Sequence, residues 1–481
     1  MEEQLKLLNQ EDYFHSFSKF LLEKWGDFSQ EAWKKKDTPL QKEFEDKQKK
    51  AYKNIVSRLK GKKVAKTATI RSWFGIDGHS KPGREHIFKL ALALELSPEE
   101  SQEYLQKGAL MPGIQINDYR EMIFYYGLEK RLSYEECLGM IEVFESRLHQ
   151  DFVLEQRTHT GELWENYYQW NKLDQVHFLK AMCENAGKFK GYGKTALNYF
   201  TKYKNEILNF VRAEAKERLQ DELTKYEFFS WAKAQKISED DYPAEILRYL
   251  KNISRRTVPL IGKAERRDLE YLHWIAYAKE NRNADLLMEL YSPAIQEKSG
   301  KGQKRPYRSR EDFALPEGIH FPSNSHLSQM LNVAMHKEKE IRIAQGLACL
   351  KHQPGDGACP NWVEEMIEGY APVKGPFTCE AAQKHLKKIQ PVQKKQCITV
   401  QREDLLPLIH YVAQRKYQMQ YPDEYDRQKA REVFISLADT TLTACQMAPL
   451  SEEYEMDFLL LSCYRDKVMY TLAEVIESTI K

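Results

Sequence analysis

Between residues 47 and 84 the chain gathers twelve lysines and arginines against one acid, Asp77, while its net charge over 481 residues is only +2. A cationic stretch of that density suits contact with phosphates, whatever the balance elsewhere. Lys60, Lys62, Lys63 and Lys66 lead into "TATIRSWF", residues 67–74, and Lys81 and Arg84 follow it. Helical spacing turns Ile70, Trp73 and Phe74 inward as structural anchors. Lys66, Thr67, Thr69, Arg71 and Ser72 then face outward. Hydroxyls of that kind contact bases or phosphates, and a guanidinium grips guanine with two hydrogen bonds. The partner this chemistry implies is double-stranded DNA. A solvated helix face is the plainer account of the same charge.

Other constellations carry less. "GKFKGYGKT", residues 187–195, imitates a phosphate loop, but Gly187 lies one residue too far from Gly193. A helical pattern, "VHFLKAMCENA", also precedes it where a strand is required. His320, His326 and His336, or Cys349, His352 and Cys359, lack the paired spacing of structural zinc ligands. No Gly-x-Ser-x-Gly, His-Glu-x-x-His or cysteine-nucleophile signature occurs. The expectation is no catalytic residues, no metal and no cofactor, hence not an enzyme. "SNSHLSQML", residues 323–331, is a faint second reading head, better explained as plain helix packing.

Helices must do the positioning. Apolar residues recur at three- and four-residue spacing almost throughout, and "QCITV" is the best candidate for a strand. Ser97-Pro-Glu-Glu and Ser133-Tyr-Glu-Glu are capping boxes that start helices. The fold expected is all-α and multi-domain, with a helix-turn-helix-like domain near the N-terminus. Composition and pattern divide it into an N-terminal arm (1–50), the DNA-binding domain with its helical extension (51–150), a central helical domain (151–295), a basic linker (296–312) and a C-terminal helical domain (313–481). The linker "QEKSGKGQKRPYRSRED" has six basic residues and no periodicity; a flexible tether suits it better than a phosphate track. Eight scattered cysteines without Cys-x-x-Cys fit free thiols in a reducing cytoplasm. No apolar run is long enough to span a bilayer, and the acidic, amphipathic start is not a secretory signal.

One segment is echoed far downstream. Leu105-x-x-Gly108-x-Leu110-x-Pro112 matches Leu442-x-x-Cys445-x-Met447-x-Pro449 in spacing. Each is followed by a helix beginning near an aspartate (Asp118, Asp457) and then by a capping box (Ser133/Glu136, Thr471/Glu474).

Thr-Ile-x-x-Trp, a Gly turn, Lys-Pro-x-Arg-Glu and an Ile-x-x-Leu-Ala-x-Ala-Leu helix, in that order, resemble phage-repressor-type helix-turn-helix domains over roughly residues 50–115. "KPGREHIFKLALALELSPEESQEYLQKG", "IQINDYREMIFYYGLEKRLSYEE", "LPEGIHFPSNSHLSQML" and "TACQMAPLSEEYEMDFLLLSCY" resemble a group of large Firmicutes proteins known only as helix-turn-helix-containing. That likeness covers most of the chain. It implies DNA binding and transcription regulation, with the remaining helices serving dimerisation, a protein partner or sensing. The departure from the repressor pattern is "LKGKKVAKTA", Lys-rich with Gly61 too early, where the first helix of the pair belongs. The alternative is a non-catalytic interaction scaffold, in a mobile-element or phage-defence setting, whose reading head is vestigial.

Overall fold

The computed structural model describes residues 14–26, 40–147, 160–189, 191, 193–291, 322–330, 333–396, 399–422 and 424–479. They form 22 α-helices with short 3₁₀ and π turns, and β-structure among them is limited to the isolated bridges Ala358–Thr378 and Tyr464–Met469. The all-α expectation holds. No helix of the described residues is long and apolar enough to cross a membrane.

The first body contains α1 (Phe17–Trp25), α2 (Leu40–Arg58), α3 (Thr67–Trp73), α4 (Arg84–Leu94), α5 (Pro98–Glu103), a π turn (Tyr104–Gly108), α6 (Tyr119–Lys130), α7 (Tyr134–Ser146), α8 (Thr160–Trp170) and α9 (Gln175–Glu184). Both capping boxes form: the Ser97 and Ser133 hydroxyls accept from the amides of Glu100 and Glu136, and those carboxylates accept from the serine amides. One apolar core takes residues from every one of these helices except α5. Phe17, Phe20 and Leu21 of α1 are buried in it, so the described part of the expected arm belongs to the domain itself. The same core takes Leu163, Tyr167, Phe178 and Met182 from beyond residue 150, with Tyr126 stacked on Phe178 at 4.1 Å. Burying each of those large side chains contributes roughly 1.5–3 kcal/mol, and this core does not end at residue 150.

The 31-residue helix α10 (Thr195–Lys225) leaves this body and serves three apolar clusters in turn. Its C-terminal part packs with α11 (Phe228–Ala234), α12 (Tyr242–Ile253) and α13 (Lys263–Tyr277). Its N-terminal part packs with α14 (Asn283–Met288), α15 (Asn324–Met330), α19 (Arg402–Gln420), α20 (Arg427–Ala444), α21 (Glu455–Leu461) and α22 (Leu472–Thr479). Between α15 and α19 lie α16 (Val333–Lys351), α17 (Asn361–Tyr370) and α18 (Cys379–Gln396), with a core of their own. The expected central and C-terminal domains therefore share a core and each contribute a second one. The linker expected at 296–312 lies outside the described residues.

The sequence echo has a structural counterpart in a shifted register. Arg84 opens α4, makes a two-pronged pair with Glu121 of α6 (2.5 and 2.7 Å), and donates to the carbonyls of Pro112 and Gly113. Arg402 opens α19, makes the same pair with Asp457 of α21 (2.5 Å on both prongs), and donates to the carbonyls of Ala448 and Pro449. In each copy the carboxylate also accepts a backbone amide six residues upstream, from Gln115 or from Ser451. Leu110 and Gln446 hold the matching left-handed turn positions, at φ 53° and 57°. The carboxylate, amide, carbonyl and turn positions share one offset along the chain, which the two arginines do not; that offset equates Asp457 with Glu121 and not with Asp118, the N-cap of α6. The cause is the π turn. Met111 N bonds Leu105 O across six residues, whereas Met447 N bonds Leu442 O across five, so the first copy carries one extra residue there. The two clasps touch: the Gln446 carbonyl accepts from the Gly113 amide (2.8 Å) and the Gln106 side chain (2.6 Å).

Candidate nucleic-acid interface

The stretch with the strongest chemistry spans the end of α2, α3, and the turn into α4. Leu59–Lys66 separates α2 from α3, eight residues where a helix-turn-helix uses three or four. Leu59 and Val64 are buried and pin this connection to the core. A tight helix-turn-helix pair is therefore not what the backbone forms here; α3 is a seven-residue helix held from below. Ile70, Trp73 and Phe74 are buried, and Trp73 meets Phe17 at 6.4 Å and His86 at 5.8 Å, both edge to face. Phe74 packs edge-on to Tyr52 of α2.

The outward face is less available than its sequence implies. Arg71 forms a two-pronged pair with Asp77, one prong at 2.8 Å, and lies 5.7 Å from the Tyr52 ring. Hydrogen bonding to Arg71 holds the Asp77 carboxyl below its usual range. Ser72 bonds the Thr69 carbonyl (2.9 Å) and the Ser80 hydroxyl, closing the turn in place of facing outward. Gly75 and Gly78 make that turn with left-handed φ of 68° and 93°. A β-carbon on Gly75 would meet the His79 ring at 2.7 Å. Lys62 donates to the Ala93 carbonyl at 2.5 Å and lies 3.4 Å from Glu95, capping the C-terminus of α4 where free carbonyls favour a cation. Arg84 is the plainest correction to the sequence reading: its guanidinium is spent inside the first clasp. Together these facts take Arg84, Lys62 and Ser72 out of the expected contact set and leave Arg71 tied to an acid.

A strip of cations remains. Lys60, Lys63 and Lys66 on the connection, with Lys50 and Lys53 on α2, are exposed and have no ion-pair partner among the described residues. Thr67 and Lys81 are also exposed, and Thr69 is half-buried. Sequence reasoning missed Asp77 as the partner of Arg71, although a single acid six residues beyond an arginine in so basic a run was a usable signal. It also missed Glu121. The signal there was the pair Arg84-Glu85 and Arg402-Glu403, each opening a helix after an extended residue.

No group of His, Cys, Asp and Glu suited to a metal occurs among the described residues, and the seven described cysteines are free thiols, six of them buried. The imitation phosphate loop follows helix α9, and Lys188 within it pairs with Glu162 at 2.7 Å. No family model, curated protein or solved structure matched the chain.

Proposed function

We propose that the chain binds double-stranded DNA through its phosphate backbone and acts as a non-catalytic transcription regulator. The observation that carries this is the strip of Lys50, Lys53, Lys60, Lys63 and Lys66, exposed and without an ion-pair partner among the described residues, beside Thr67. Cations left unpaired on an ordered surface attract a polyanion and release its counterions on binding. The buried Ile70, Trp73 and Phe74 fix the support, so binding costs the ordering of the lysine side chains and not of the backbone that carries them. With Arg71 held by Asp77, base reading falls to Thr67 and Thr69, and affinity outweighs sequence selectivity.

The interaction-scaffold reading draws on a specific observation too: Arg71, Lys62 and Arg84 are all engaged within the chain. The two readings part in a salt titration. The full-length protein is mixed with a labelled random-sequence duplex, and anisotropy is followed as salt is raised. Three to five phosphate contacts give a slope of log affinity on log salt of about −3 to −5. Binding that is absent or insensitive to salt would leave the scaffold reading standing and the DNA reading refuted.

A further inference from the structure

A second site lies far along the chain, in the core formed by the end of α10 with α11, α12 and α13. Here a cleft of 920 Å³ is lined by the lysines Lys216, Lys233 and Lys236 and by the aromatic residues Phe229, Tyr242 and Tyr277. Its size falls in the range of small-molecule sites. Glu239 is the acid in its lining; Asp240 and Asp241 follow it outside the lining. The three lysines have no ion-pair partner among the described residues, and the Tyr242 and Tyr277 hydroxyls make no hydrogen bond among them. Burial pushes the Tyr277 phenol up from its ordinary value.

The aromatic part of the lining is packed before any ligand arrives. Tyr242 packs edge-on to buried Phe228 at 5.4 Å and against Phe229 at 5.9 Å. His273 bonds the Pro243 carbonyl at 2.5 Å, tying the start of α12 to α13, and its ring meets Tyr277 at 5.0 Å. Three lysines without an ion-pair partner among the described residues, sharing one cleft with packed aromatic rings, make a site with two demands. The ligand must carry concentrated negative charge, and it must offer a flat ring to lie against the aromatic residues.

We propose that this cleft binds a small phosphorylated aromatic molecule of the nucleotide class, with Lys216, Lys233 and Lys236 on the phosphate and Tyr242 and Tyr277 along the ring. The site belongs to a different core from the lysine strip of α2 and α3, so it stands independently of the DNA reading.

Calorimetric titration of the full-length chain with adenosine, guanosine, cytidine and uridine 5′-monophosphates tests it. At least one nucleotide saturates with a dissociation constant of about 1 mM or tighter. Its nucleoside and inorganic phosphate, each offering half of the chemistry, bind at least about tenfold more weakly. Lys236→Gly is the informative variant. Lys236 holds a left-handed φ of 55°, which glycine adopts freely, so the change removes a cation without straining the fold. The variant keeps its melting temperature and loses about tenfold in nucleotide affinity. Inorganic phosphate binding as tightly as the nucleotide, no nucleotide binding at all, or full affinity in Lys236→Gly would each overturn the proposal.

Discussion

Replacing Arg402 by methionine should destabilise the C-terminal clasp far more than replacing Arg84 destabilises the N-terminal one. The Arg402 and Asp457 side chains are 1% and 0% exposed. In Arg402→Met the Asp457 carboxylate loses both prongs and keeps the Ser451 amide at 2.8 Å, while the Ala448 and Pro449 carbonyls lose their donor. Removing one partner of a buried pair costs about 3–5 kcal/mol. The Arg84 and Glu121 side chains are 26% and 11% exposed, so water can take over part of the bonding. Arg84→Met should cost about 1.5–3 kcal/mol, the range for hydrogen bonds to charged groups. Because several cores share one chain, a single unfolding midpoint is a poor gauge. Hydrogen exchange at the amides of α19 and α21 reports the local opening energy directly. A loss of about 3 kcal/mol appears there as exchange faster by roughly a hundredfold. The double variant Arg402→Met/Asp457→Leu should recover much of that loss, since it leaves no orphaned charge. Equal losses in the two clasps, or no recovery in the double variant, would refute the burial argument.

Trp73→Ala removes an indole that is 2% exposed and should cost about 3–5 kcal/mol, speeding hydrogen exchange at the amides of α3 and α4 and losing DNA binding only as a consequence. A variant that exchanges normally there but fails to bind would place Trp73 in contact with DNA instead. Arg71→Ala should leave random-duplex affinity within about twofold, because Asp77 already occupies the guanidinium; a loss beyond tenfold would show that the pair opens on binding. Burial raises the Glu455 carboxyl to about 7, so its folded form holds a proton that the unfolded chain has already lost. That group makes stability fall as pH rises from its unfolded value near 4.5 through 7. Burial lowers His15 to about 4, so its stability contribution is lost in the other direction, as pH falls from 6.5 through 4. Between pH 6.5 and 7.5 the Glu455 effect dominates, and thermal melts of Glu455→Gln should be flatter there than those of the unaltered protein. An unchanged slope would exclude Glu455 as its source.

The helices were legible because a period of 3.6 and the Ser-x-x-Glu boxes are local signals. The anchors Ile70, Trp73 and Phe74 followed from the same spacing. Domain limits were not legible, because a stacking such as Tyr126 on Phe178 is decided by three-dimensional proximity and leaves no mark in composition. The contact face was half legible. Charge and exposure of Lys60, Lys63 and Lys66 follow from a polar run, but the capture of Arg84 by Glu121 depends on a residue 37 positions away. The echo between Leu105 and Leu442 was visible as spacing. Its register was not, because a π turn adds a residue without any sequence mark.

The central claim is that unpaired lysines on the α2–α3 connection grip phosphates. The most direct measurement compares the salt slope of duplex binding for the full-length protein, Lys62→Gln, and Lys60→Gln/Lys63→Gln/Lys66→Gln. Removing three phosphate contacts should make the slope shallower by about 2.7, at roughly 0.9 per contact. Lys62→Gln should leave it unchanged, because that ammonium is bound to the Ala93 carbonyl. A triple variant that retains the full slope, or a Lys62→Gln that flattens it as much as the triple variant does, would contradict the account.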